Sequence, residues 1–150
     1  MSGLYLDDLT PGDSWPGTPF VVDEAEVIAF ARAYDAQPMH IDPEAAAAGR
    51  FGGIIASGWH VASLVMRDFI ANNPFGDTPL LGIGIDELRW LRPVRPGDTL
   101  LARREIATVR RSASKPDVGT VTMRTTVTSQ NDEPVLSMTT LMQLPARPAA

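Results

Sequence analysis

Between Tyr34 and His60 the chain reads YDAQPMHIDPEAAAAGRFGGIIASGWH, and this stretch holds the residues best suited to chemistry. Asp35 and His40 lie five positions apart, with Gln37-Pro38 between them. A carboxylate beside an imidazole supports general acid/base work, because the acid orients the ring or shares a water with it and histidine titrates near neutral pH. On one continuous helix a five-residue offset would splay the two side chains by more than about 100°. Pro38 forces a turn instead, and that can bring them together. Composition and spacing alone favour the plainer reading, a helix-terminal aspartate and a turn histidine with unrelated partners, because single Asp and His residues are common.

Gly58 carries a second piece of chemistry. At the start of an apolar helix its N–H sits at the positive end of the helix dipole, where charge developing on a carbonyl oxygen would be stabilised. Glycine there admits close approach of a ligand to the backbone; tight packing of the helix start explains it as well. Gly52-Gly53 lack the lysine and longer glycine pattern of a phosphate loop. His40, Asp42 and His60 have the residue types of a two-histidine, one-carboxylate iron site. The spacing is short, however, His60 falls on a buried helix, and Asp42-Pro43 reads as a helix cap, so no metal is assigned and His60 is taken as structural. Ser57 and Ser63 lack a nucleophile elbow, and Ser57 is read as the cap of the helix that follows.

The elements that must position these residues follow from punctuation and period. Asp23 with Glu26 forms a capping pair, and Val27, Phe30, Ala31 and Tyr34 follow at helical spacing, so a helix is expected over 24–34, stopped by Pro38. A short helix over 43–48 has Asp42 as cap and proline in its first turn. A third, over 58–71, is apolar nearly all round and is expected to be the buried central helix. From Leu81 the period becomes two: strands are expected over 81–92, 98–110, 118–129 and 134–144, separated by RPGD, SKPD and NDE turns. In the third, Val121, Met123 and Val127 share one face while Thr122, Arg124, Thr126 and Thr128 share the other. Consecutive strands with short turns predict an antiparallel meander, covered by the helix at 58–71. TPFVV (18–22) is a further short strand candidate. The fold class is thus α+β, in one domain over 1–150, with 1–13 an irregular lead-in and 145–150 a loose tail.

Composition narrows the function. The 150 residues are 44% apolar, without cysteine, and carry a net charge of −5; disulfides, thiolate nucleophiles and cysteine metal sites are excluded, and nucleic-acid binding is disfavoured. No basic leader or long apolar run is present, so a cytoplasmic protein with no membrane partner is expected. Charge is uneven: residues 1–88 hold thirteen acids against three arginines, and 89–124 nine bases against three acids. The second region reads as solvated strand faces or as a surface for a ligand's phosphates.

The segment Asp35-Ala36-Gln37-Pro38-Met39-His40-Ile41-Asp42, then Phe51, then Ile55-Ala56-Ser57-Gly58, resembles the hydratase motif of the MaoC-like dehydratases, which include the (R)-specific enoyl-CoA hydratases of the hot-dog superfamily. The run GIDELRWLRPVRPGDTL (84–100) is also similar to a strand and turn of that family, and the resemblance covers about 20–145. It implies a hot-dog fold, a curved antiparallel sheet wrapped around a long central helix. It further implies hydration of a trans-2-enoyl-CoA or its reverse, with Asp35 and His40 activating water and the Gly58 N–H receiving the thioester oxygen. Gln37 stands where the family has asparagine, Ser57 where it commonly has histidine, and Met66 where a serine lies two turns into the helix. Gln37, Pro38, Ser57, Trp59, Arg89 and Arg92 are expected to contact substrate, with Arg95, Arg103 and Arg104 as further candidates for the CoA phosphates. Trp59, Met66, Leu88 and Trp90 are candidate walls of an acyl tunnel. No cofactor beyond the CoA thioester is implied, and the partner is a second copy, in a homodimer with sheets joined edge to edge. Rival expectations are an acyl-CoA thioesterase and a non-catalytic acyl-binding or assembly subunit.

Overall fold

A computed structural model describes residues 3–150. A 3-10 turn at Leu6–Asp8 is followed by β1 (Ser14–Pro16), β2 (Phe20–Val21), α1 (Glu24–Tyr34), α2 (Pro38–Ile41), α3 (Pro43–Ala48), α4 (Gly58–Ala71), β3 (Leu81–Trp90), β4 (Thr99–Arg111), β5 (Val118–Thr128) and β6 (Pro134–Pro145). Asp23 caps α1 by accepting from the Glu26 N–H, and Asp42 caps α3 by accepting from the Glu44 and Ala45 N–H groups, as their sequence positions predict. Pro38 does more than stop α1. Its fixed φ and missing N–H suit a first helical position, so it also opens α2, which carries His40.

The strands form one antiparallel sheet in the order β1-β4-β5-β6-β3, with β2 also paired to β4. The expected meander therefore holds only for β4, β5 and β6. β3 crosses to the far edge and pairs with β6, Leu81 opposite Gln143 and Trp90 opposite Leu136. The reason lies in the connection at 91–98, which is no hairpin. The Leu91 N–H continues the β6 pairing at Val135, Val94 is buried, and the RPGD turn is held by Val22 through Gly97 N–H to Val22 O (2.8 Å) and Val22 N–H to Asp98 O (2.8 Å).

The inner sheet face follows the alternation expected of β5, with Val121, Met123, Thr125 and Val127 buried. One core joins Val61, Leu64 and Val65 of α4 to Leu100, Ala102, Val127 and Leu136 of the sheet. A second gathers Leu6, Leu9, Phe69, Phe75, Ile106 and Leu144. The helix is thus not the sole cover. The lead-in shares the work, because Leu6 and Leu9 are buried and β1 pairs with Arg103–Glu105. The tail is irregular but tied down: Arg147 pairs with Asp8, its N–H donates to Asp7, and its guanidinium lies over the Tyr5 ring.

Nor is α4 buried all round. Trp59, Met66 and Ile70 line an exposed stripe, while Asp68 on the opposite face forms a buried ion pair with Arg104 at 2.9 Å. The Arg104 guanidinium also donates to Val65 O, and the other Asp68 oxygen accepts from Thr18 N–H and Asn72 Nδ2. A Cβ on Gly17 would sit 2.1 Å from Asp68 Oδ2, so only glycine lets the lead-in approach this pair. Arg104 is therefore withdrawn as a phosphate ligand. Its charge is buried and spent on fastening α4 to β4.

Candidate active site

Asp35 is the C-cap of α1, and its backbone leaves the helix with φ −154° and ψ 66°. The turn that follows closes through Gln37 N–H to Asp35 O (2.8 Å) and His40 N–H to Gln37 O (2.9 Å), which folds α2 back beside the end of α1. His40 Nε2 consequently lies 3.4 Å from Asp35 Oδ2. The two residues that spacing left ambiguous thus face each other, His40 buried and Asp35 partly open.

The other side of the imidazole is fixed by backbone. His40 Nδ1 is 2.7 Å from Ile55 O; a carbonyl only accepts, so Nδ1 carries the proton and Nε2 in the neutral ring is an acceptor. Ile55 is itself held by donating its N–H to Met39 O (3.1 Å), and Ala56 by donating to Val94 O (2.8 Å). The extended segment before α4 is clamped between α2 and the connection after β3. That clamp sets the height of Ser57 and Gly58 relative to His40.

The Asp35 carboxylate accepts from Gln37 Nε2 at 2.7 Å through Oδ1. This bond holds its pKa below the ordinary carboxylate value; the Ser57 hydroxyl and the nearby imidazole add to the effect, and partial burial opposes it. Asp35 is therefore an anion at neutral pH. Gln37 does not line the cavity and acts on it through Asp35; Pro38 contributes through the turn alone.

A cavity of about 380 Å³ opens beside the pair, and Asp35, His40, Ser57, Gly58, Trp59 and Arg92 all line it. Among the described residues no protein group accepts from the Gly58 N–H. A free N–H is what the acyl-oxygen reading would require of this glycine. A Cβ would fall 2.4 Å from the Trp90 ring, so the position must be glycine for packing as well. Trp90 Nε1 donates to Gly58 O at 2.8 Å, and its ring meets Trp59 edge-on with centroids 5.1 Å apart. Ser57 occupies the N-cap position, but its side chain caps nothing, contrary to expectation. Its hydroxyl is buried at the helix start.

Other candidates fall outside. Arg89 stands on exposed β3, and its guanidinium donates to Leu88 O. Met66 faces outward and Leu88 packs against the core, so neither lines this cavity, whereas Trp59 and Trp90 do. His60 is buried and stacked on Phe30 at 4.8 Å, and burial lowers its pKa. Unforeseen were the carbonyls of Met39 and Ile55 and the walls Leu91, Pro93 and Val94. Backbone acceptors leave no residue-type signal, and the walls come from a connection that reads as a hairpin.

Comparison with known proteins adds four findings. The model of the MaoC-like domain matches residues 10–130. An uncharacterised protein of Bacillus subtilis is 32% identical over 103 residues, 69% of this chain and 73% of that protein. Among solved structures, the MaoC-like dehydratase from Rhodospirillum rubrum superposes with a TM-score of 0.88 at 36% identity, covering 98% of this chain and 100% of the other. The (R)-hydratase from A. caviae involved in PHA biosynthesis gives a TM-score of 0.70 at 26% identity, covering 89% and 96%.

Proposed function

Since the chain belongs to the MaoC-like domain family and has the hot-dog fold, we propose that it is a hydro-lyase that reversibly hydrates a trans-2-enoyl-CoA to a (R)-3-hydroxyacyl-CoA. The observation that carries the reading is the Asp35–His40 pair facing one cavity with the Gly58 N–H. Similarity to the (R)-hydratase supports the reaction class and its stereochemistry.

The chemistry follows from the acceptors. At 3.4 Å the Asp35 oxygen and His40 Nε2 are too far apart for a strong direct bond, and both accept, so together they hold the two hydrogens of one water. The water oxygen bonds to C3 of the enoyl group while one of its protons passes to His40 Nε2. The electron pair of the double bond moves onto the thioester as an enolate, whose oxygen is received by the Gly58 N–H at the α4 terminus. Collapse of the enolate takes the proton from the imidazolium to C2, which restores His40. Asp35 stays ionised throughout and stabilises the imidazolium. In this reading the thioester is the substrate and the chain's own groups supply the chemistry. Arg92, at the cavity and only 3.7 Å from Glu133 in an exposed pair, is the cation we assign to the CoA phosphates.

We also assign the chain to a homodimer. Leu81, Ile83 and Ile85 of edge strand β3 and Trp59, Met66 and Ile70 of α4 are all more than half exposed. An uncovered edge strand with apolar side chains is a template for a second sheet.

The test is turnover of a panel of trans-2-enoyl-CoA esters, followed by loss of the conjugated thioester absorbance. Asp35→Asn and His40→Ala are each expected to lower kcat by about 10²-fold or more. Full activity in the double variant would sink the proposal, and release of free thiol in place of hydration would point to thioester hydrolysis.

A further inference from the structure

Four buried side-chain polar atoms lack a hydrogen-bond partner among the described residues: Ser57 Oγ, His60 Nδ1, Thr78 Oγ1 and Thr125 Oγ1. Of these residues Ser57 is the one that lines the active-site cavity. It is 0% exposed and stands at the N-cap of α4, where a serine normally accepts from the first turn. Here the cap bond is unmade, and Ser57 lines the same cavity as Asp35 and Gly58 with its hydroxyl buried.

A buried, unpaired hydroxyl costs stability, and alanine would fit the same space without that cost. Such a group calls for a physical explanation, and a partner acquired within the site is one. Two acceptor groups already converge nearby, the Asp35 carboxylate and His40 Nε2, and neither can donate to the other in their resting forms. A hydroxyl supplies the missing donor. Gln37 restrains only Oδ1 of the carboxylate, which leaves the oxygen that faces His40 without a donor of its own.

We infer that Ser57 is a positioning residue for the hydration, its Oγ–H donating to the Asp35 carboxylate and keeping Oδ2 turned toward His40 as the site fills. This rests on the hydratase reading proposed above. The lowering of the Asp35 pKa by the Ser57 hydroxyl agrees with the direction of that contact.

The experiment compares the parent with Ser57→Ala and Ser57→Thr by three measurements: steady-state hydration of an enoyl-CoA that the parent turns over best, thermal melting, and carbon-13 titration of the Asp35 carboxyl in substrate-free protein. In Ser57→Ala we expect kcat to fall roughly ten-fold with KM changed by less than about two-fold, a melting temperature within a few degrees of the parent's, as for the loss of one hydrogen bond, and an Asp35 titration moved to higher pH. Ser57→Thr, which keeps the hydroxyl, should return the titration toward the parent. An Asp35 titration unmoved in Ser57→Ala overturns the inference, whether kcat is unchanged or falls together with melting temperature. A parent that hydrates no enoyl-CoA sinks the hydratase reading instead; a displaced Asp35 titration would then still establish the hydroxyl–carboxylate contact.

Discussion

At the scale of single residues, each group of the candidate site is held by a contact of its own. Ile55 O fixes the His40 tautomer, Gln37 fixes the Asp35 charge, and Trp90 fixes the helix start at Gly58. Gln37→Leu removes the largest influence holding the Asp35 pKa down. Because that hydrogen bond favours the ionised form, its loss raises the pKa. The acid limb of kcat/KM should therefore move to higher pH, and a pH profile checks this. Gly58→Ala should disable the site differently. Its Cβ would lie 2.4 to 2.7 Å from three atoms of a Trp90 ring that is itself hydrogen-bonded to Gly58 O, so the ring and helix terminus cannot both stay in place. We expect enoyl-CoA turnover to fall by about 10²-fold or more, the range seen when an oxyanion donor is lost; unchanged turnover would remove Gly58 from the mechanism.

At the scale of elements, α4 is held at both ends by different physics. Its N-terminus abuts the cavity through the clamped 54–57 segment, while its distal turns are bolted to β4 by the buried Asp68–Arg104 pair. Arg104→Met leaves the Asp68 carboxylate buried without its counter-charge and should cost about 3–5 kcal/mol in urea unfolding. Adding Asp68→Leu should recover part of that loss, and only part, since Thr18 N–H then has no acceptor. β3 shows a further device. Its pairing slips between Asp86 and Arg89, with Glu87 at φ 53°, and after this bulge Leu88 reaches the core while Trp90 covers Gly58.

At the scale of the whole molecule, the exposed apolar face on β3 and α4 adjoins the Trp59 and Trp90 wall of the cavity. A charge in the middle of the edge strand tests the proposed dimer. Ile85→Lys is expected to shift sedimentation from dimer to monomer and to lower enoyl-CoA hydration with it; a dimer that survives unchanged would place the interface elsewhere. Among the described residues no helix is long and apolar enough to cross a membrane.

Local rules were enough for much of this chain. The capping aspartates, the proline positions and the change of period from 3.6 to 2 predict α1, α3, α4 and the four long strands to within a few residues, because these signals act over one or two turns. The motif around Asp35 and His40 likewise carries its resemblance in eight consecutive residues. Tertiary structure decided the rest, where the partner is distant in sequence. Strand β3 pairs with β6, fifty-odd residues on, because the 91–98 connection is anchored to Val22 and Val135, elsewhere in the chain, and does not fold β3 back onto β4. Arg104 left the list of ligand cations when Asp68, on another element, met it in the core. Ser57, a cap by position, became an uncapped hydroxyl beside Asp35, since the backbone clamp from Met39 and Val94 sets where the helix begins. Sequence could name Asp35 and His40 as a candidate pair; only the fold could decide that they, Ser57 and Gly58 line one cavity.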